Sequence, residues 1–240
     1  MEKKVRLDKF LANMGIGTRS EVKFLVKKGQ ISVNDAIIRQ PELKISPDID
    51  NVCYNGERIS YAEFEYYMLN KPAGCVSATE DRIHKTVLDI IQSTRKDLFP
   101  VGRLDIDTEG LLLLTNDGEL AHRLLSPRHH VSKTYYAKID GLVTEEDCEK
   151  FAEGLDIGEK KNTLPAKLQI LKAGDKSEIT VTITEGKYHQ VKRMFEAVGK
   201  RVLYLKRLSM GSLSLDETLS AGEYRELTSE EIAELKEWNK

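Results

Sequence analysis

The sequence predicts an α+β fold with a mixed or largely antiparallel sheet and flanking helices. Three observations carry this. Strand-like runs outnumber helical ones, the two kinds do not alternate regularly, and hairpin-turn dipeptides stand at Asn34-Asp35 and Asn55-Gly56. The chain has 240 residues, of which 40% are hydrophobic and 32% charged, enough to fill a core and solvate a surface. That excludes a disordered chain, a collagen-like repeat and a disulfide-stapled miniprotein. Cys53, Cys75 and Cys148 show no C-x-x-C spacing, which argues against a disulfide framework or a zinc site. The charged N-terminus lacks the apolar run of a secretory signal. The longest apolar run, residues 111–114, is far below the ~20 residues a membrane span needs. A soluble, cytoplasmic protein is expected.

The first 60 residues read as one small unit, two helices followed by short strands. Leu7, Phe10, Leu11 and Met14 recur at i, i+3, i+4 and i+7, which predicts a helix over residues 6–14. Gly15 and Gly17 interrupt it. Thr18 and Glu21 form a capping-box pair that opens a second helix, and Gly29 suits its C-terminal end. Strands are expected at 31–33 and 36–38, and again around 51–53 and 58–59.

The formal charge of −2 argues, at face value, against a nucleic-acid partner. Its distribution argues otherwise. Residues 1–45 carry ten basic against five acidic side chains, so this segment is +5 and the remainder −7. Arg19, Lys23 and Lys27 fall at i, i+4 and i+8, one face of the second helix. Such a face can track phosphates, although an ordinary solvated face has the same spacing.

The stretch RLDKFLANMGIGTRSEVKFLVKKGQISVN resembles an S4 domain, a small RNA-binding module, over about 45 residues. The resemblance implies that Arg6, Lys9, Arg19, Ser20, Lys23 and Lys27 lie on or near an RNA-binding surface. It names a ligand class and not a reaction. A linker over residues 60–64 then leads to a second domain, giving expected boundaries of 1–60 and 61–240.

In the second domain strands are expected at 66–69, 111–115, 134–139, 166–171, 179–184 and 202–208. Helices are expected at 86–92, 119–125, 145–153 and 189–198. A capping box from Thr228 to Glu231 starts a short final helix. Two segments could carry chemistry. In GRLDIDTEGLLLLTNDG (102–118), Asp105 and Asp107 precede a fully apolar strand. A calcium loop would need a bidentate Glu at its twelfth position, where Asn116 stands. In residues 186–207, seven basic side chains stand against one acid, with Tyr188, His189 and Tyr204 interleaved. Basic residues with stackable rings suit unpaired nucleotides.

The ordered motifs MLNKPAGCVSATED (68–81), FPVGRLDIDTEGLLLLTNDGELAHRL (99–124), KTYYAKIDG (133–141) and EGKYHQVKRMFEAVGKRV (185–202) resemble the RsuA branch of the pseudouridine synthases. The resemblance implies isomerisation of a uridine in RNA to its C-glycoside, with no metal, redox or nucleotide cofactor. It implies that Asp105, the fourth residue of GRLD, is the nucleophile or base, and it assigns Asp107 a structural part. Arg103 would help hold the target nucleotide out of its stack. Tyr135 would face the base, while Tyr136 points to the other side of its strand. Lys192 would pair with Asp105 and keep it ionised. His189, Gln190 and Arg193 would contact RNA or pack. Within the branch, an S4 domain followed by a short C-terminus resembles the synthase acting on one uridine of 16S rRNA, and nothing in the sequence requires more than a monomer. That substrate is either naked rRNA or a partly assembled small subunit. The alternatives are a synthase of 23S rRNA and a non-catalytic S4 ribosome-assembly factor.

Overall fold

The computed structural model describes residues 4–59, 61, 63–93 and 95–238. Ser60 and Ala62 of the expected linker lie outside the described residues. The chain divides into two compact units, Met1–Glu65 with Gln92–Leu98, and Tyr66–Ile91 with Phe99–Lys240.

The first unit contains β1 (Val5–Arg6), α1 (Leu7–Asn13), α2 (Arg19–Lys27), β2 (Ile31–Val33), β3 (Ala36–Ile38), β4 (Lys44–Ile45), β5 (Val52–Tyr54) and β6 (Glu57–Arg58). Leu7, Phe10 and Leu11 of α1 and Val22 and Val26 of α2 are buried together with Ile31 and Ile45. The apolar spacing read from the sequence therefore becomes the core of this unit. The expected capping box is formed: the Thr18 hydroxyl accepts from the Glu21 N–H, and the Glu21 carboxylate accepts from the Thr18 N–H. Gly29 follows the helix at φ 77°, with its N–H on the Val26 carbonyl and the Gln30 N–H on the Leu25 carbonyl. Those two bonds make a Schellman ending. Asn34 and Asp35 both adopt positive φ, 50° and 65°, as the tight turn between β2 and β3 requires.

The second unit contains β7 (Tyr66–Lys71), β8 (Phe99–Pro100), β9 (Glu109–Thr115), α3 (Gly118–Leu125), β10 (Lys133–Asp140), α4 (Glu145–Glu153), β11 (Lys167–Lys172), β12 (Lys176–Ile183), α5 (Gln190–Ala197), β13 (Arg201–Met210), β14 (Leu213–Ser214), β15 (Tyr224–Glu226) and α6 (Ser229–Glu237). Its sheet runs in the order β11-β12-β10-β13-β9-β7-β15, with β14 beside β13 and β8 beside β9. The pair β13·β9 is parallel and the other pairs are antiparallel, so the sheet is mixed as expected. The four leucines of β9 are essentially fully buried, which explains a strand that is apolar on both faces.

A helix expected over residues 86–92 is not formed. Thr86 and Val87 pair with Val76 instead, and only a turn follows, with Asp89 capping the Thr86 N–H and hydroxyl. The turn closes with the Asp89 N–H on the Thr86 carbonyl and the Ile90 N–H on the Val87 carbonyl, and goes no further. Among the described residues, no helix is long and apolar enough to cross a membrane.

Gly110 joins the loop before β9 to the sheet. Its φ is 98°, and a Cβ there would lie 2.2 Å from the Arg207 carbonyl oxygen. Only glycine lets β13 approach at this point. Gly110→Ala is expected to cost about 3 kcal/mol or more, a fall in Tm of roughly 6 °C or beyond. Gly56→Ala also sits at positive φ but meets nothing within 4 Å, and should cost only about 1 kcal/mol. Thermal melts of the two variants check the contrast.

Candidate active site

The loop between β8 and β9 is held by its backbone. Lys71, the last residue of β7, pairs across the sheet with Gly110. Its side chain is fully buried. Its Nζ donates to the carbonyls of Thr108 (2.8 Å), Pro72 (3.0 Å), Asp105 (3.1 Å) and Ile106 (3.5 Å). Burial pushes the Lys71 pKa down, and Cys75 and the carboxylates of Asp107, Asp105 and Glu109 offset part of that. Ser77 braces the other end: its Oγ donates to the Leu104 carbonyl and accepts from the Leu104 N–H, both at 3.0 Å. The Gly74 N–H reaches the Ile106 carbonyl at 2.7 Å. With the backbone held from one side, the Asp105 and Asp107 carboxylates are left for other partners.

Those partners come from α5. Lys192 Nζ lies 3.0 Å from Asp105 Oδ2, and 2.7 and 2.9 Å from the two oxygens of Asp107. Burial opposes the charge on Lys192, but the bonds to Asp107 and Asp105 outweigh it and hold its pKa above the ordinary value. Burial likewise disfavours the Asp107 carboxylate, and the Lys192 bond and charge more than compensate, so its pKa lies below the usual range. The expected Lys192–Asp105 pair is present. Asp107, expected to have a structural part, is the nearer partner of Lys192 and shares that charge with Asp105.

His189 precedes α5 in the left-handed region, φ 48° and ψ 34°. A non-glycine residue there costs on the order of 1–2 kcal/mol. The strained backbone sets His189 Nε2 3.5 Å from Asp105 Oδ1, with its ring stacked 3.8 Å from that of Tyr188. Tyr188 is largely exposed.

Asp105, Tyr135, His189, Lys192, Lys133 and Arg207 line one cleft of about 200 Å³. Arg103 is exposed and also lines it. Tyr136 does not: its hydroxyl donates to Glu178 at 2.5 Å, which pushes its pKa up to about 12. Gln190 and Arg193, each expected to bind RNA or to pack, are occupied internally although both edge or flank the cleft. Gln190 is buried and bonds to Glu185 and the Lys187 N–H. Arg193 bonds to Glu159 and to the carbonyls of Ile157 and Tyr188. Sequence reasoning assigned no part to Lys71, Ser77, Lys133 or Arg207. The first two stand in the MLNKPAGCVSATED motif and Lys133 opens KTYYAKIDG, which was the available signal.

In the first unit, α2 buries Val22 and Val26 and exposes Arg19, Ser20, Lys23 and Lys27. Arg6, Lys9, Arg19 and Lys23 surround a depression that also holds Asp8. Arg6 is paired with Asp8 at 2.7 Å.

A carboxylate on a braced loop, a buried aromatic ring beside it and a cationic lining define an enzyme that works on a nucleotide, and a basic helical face accompanies it. Residues 65–197 match the RNA pseudouridylate synthase family, and residues 5–48 match the S4 domain. The chain is 51% identical over 237 residues to the uncharacterized RNA pseudouridine synthase YtzG of Bacillus subtilis (strain 168), covering 97% of this chain and 99% of the relative. It is 42% identical to the ribosomal small subunit pseudouridine synthase A of Escherichia coli (strain K12), covering 95% and 99%. A solved pseudouridylate synthase crystal structure superposes with a TM-score of 0.68 at 41% identity, covering 96% of this chain and 99% of that one. The chain belongs to the RNA pseudouridylate synthase family, with an S4 domain at its N-terminal side, and isomerises uridine in RNA.

The shared lysine makes the two aspartates separable. Asp107→Asn leaves Lys192 its bond to Asp105 and should lower turnover less than about ten-fold, whereas Lys192→Met strips both carboxylates and should cost about 100-fold or more. Single-turnover pseudouridine formation on ribosomal RNA measures both.

Proposed function

We propose that the substrate is one uridine of small-subunit, 16S ribosomal RNA, and that Asp105 carries the reaction. One observation supports the choice of Asp105: of the two loop aspartates, it alone lines the cleft, while the Asp107 side chain is two-thirds exposed outside it. Asp105 acts as nucleophile or base at the start of N1–C1′ cleavage. Tyr135, buried in the same wall, offers its ring face to the base and its hydroxyl for proton transfer. Lys192 orients the Asp105 carboxylate through the bond at 3.0 Å. Arg103 and His189 contact the extruded nucleotide and its neighbours, with Gln190 and Arg193 shaping the turn that carries His189. Arg6, Lys9, Arg19, Ser20, Lys23 and Lys27 give the S4 unit its RNA-facing surface.

The ribosomal assignment is supported by end-to-end likeness to relatives named ribosomal small subunit pseudouridine synthase A, including those of Vibrio cholerae and Haemophilus influenzae at 41 and 42% identity. The protein works as a monomer in the cytoplasm on rRNA, as free RNA or in a partly assembled subunit.

Pseudouridine mapping of 16S and 23S rRNA from cells with and without the protein tests the substrate. Loss of a single site in 16S is expected; a site lost only in 23S contradicts the assignment. Asp105→Asn should abolish isomerisation while RNA affinity stays within about three-fold, because the carboxylate contributes no phosphate contact. Replacing Arg19, Lys23 and Lys27 together by Gln should flatten the salt dependence of RNA binding by about two to three units of log–log slope. An unchanged slope shows that this face does not carry RNA.

A further inference from the structure

Two cations at the cleft lie buried without a counter-ion. Lys133 opens β10 two residues before Tyr135, and so stands on the same face of the sheet. Arg207 of β13 is directly opposite Tyr135. Lys133 is 8% exposed and Arg207 2%, and both line the cleft that holds Asp105. The Lys133 ammonium donates to the Val131 carbonyl at 2.8 Å. Arg207 Nε donates to the Leu111 carbonyl at 2.7 Å, and its Nη2 is buried with no partner. Among the described residues, neither cation forms an ion pair. Glu185, the other carboxylate of the cleft wall, is occupied by Gln190, the Leu164 N–H and Lys187.

Burying two like charges side by side is costly unless an anion joins them. Burial and the neighbouring Arg207 hold the Lys133 pKa down to about 8, so at pH 7 the lysine is still a cation, held at a cost to the fold. The reaction supplies an anion in this cleft. When N1–C1′ breaks, the bonding pair leaves with the base. The ring then carries one negative charge, spread over N1, O2, O4 and C5. C5 next gives a pair to C1′, the Asp105 carboxylate leaving with its own pair if it has bonded there, the C5 proton is lost, and N1 takes up a proton, so the product is an isomer with nothing gained or lost. Attack on C6 instead of C1′ also drives charge onto O4.

We propose that Lys133 and Arg207 form the anion site for the uracil ring during this bond exchange, donating to its carbonyl oxygens from the floor of the cleft. A fixed cationic pair stabilises developing charge without reorganising in the reaction. It also keeps the detached ring in place while C5 turns toward C1′. The inference rests on the isomerase activity, for which wild-type turnover in the same assay is the control.

The test compares Lys133→Met and Lys133→Arg by single-turnover pseudouridine formation, RNA affinity and thermal melting at pH 7. The Met variant should lose about 100-fold in rate, with RNA Kd within about three-fold. Its Tm should be unchanged or higher, since the folded state binds the Lys133 proton less tightly than the unfolded chain and is relieved by losing the charge. The Arg variant should recover at least ten-fold of the lost rate by restoring the cation. A Met variant within three-fold of the wild-type rate overturns the proposal. So does a fall in Tm with no rescue by Arg, which marks a scaffold role. Weaker RNA binding with a salt slope reduced by about one, matching the rate loss, also overturns it by assigning Lys133 to a backbone phosphate.

Discussion

The active site depends on one buried ammonium. Lys71 Nζ gathers four carbonyls, three of them from the loop that carries Asp105 and Asp107. A lysine with no solvent must give its hydrogens to something, and main-chain oxygens are the available acceptors. The register of β7 against β9 sets Lys71 opposite Gly110, so the cation is delivered to the root of the loop by the sheet itself. Gly110 in turn admits β13, which brings Arg207 to the cleft. Sheet register, loop path and cleft lining are therefore one constraint.

The cleft sorts its charges into two sets. At the mouth, Lys192 serves two carboxylates and is fully matched. On the floor, Lys133 and Arg207 have main-chain partners and, among the described residues, no counter-ion. A matched set fixes geometry, whereas an unmatched one is a stored preference for an anion. The whole-chain charge of −2 conceals this arrangement, as it conceals the basic face of α2.

Local physics made much of the fold legible. The capping box at Thr18, the turn at Asn34-Asp35 and the apolar face of α1 involve residues at most four apart, and each is formed. At residues 86–92 the helical spacing yields only one turn, beside a bridge from Thr86 to Val76, ten residues away. The site divides the same way. Motif resemblance brought Asp105, Tyr135 and Lys192 to one cleft, but spacing alone said nothing of Lys71, three of whose four acceptors lie 34 to 37 residues away. The sequence leaves Arg193 open between RNA contact and packing, because its partners Glu159 and Ile157 come from a segment with no sequence signal for the pairing. The motif gives Asp107 a structural part by position but carries no distance to Lys192, which is what the fold adds.

The most direct test of the account is amide hydrogen exchange across residues 104–108 in Lys71→Met, paired with its single-turnover rate. If the buried ammonium holds the loop, these amides should exchange faster while β10 and β13 keep their protection, and turnover should fall about 100-fold because Asp105 is no longer held in place. Unchanged exchange in the loop together with a wild-type rate would contradict the account.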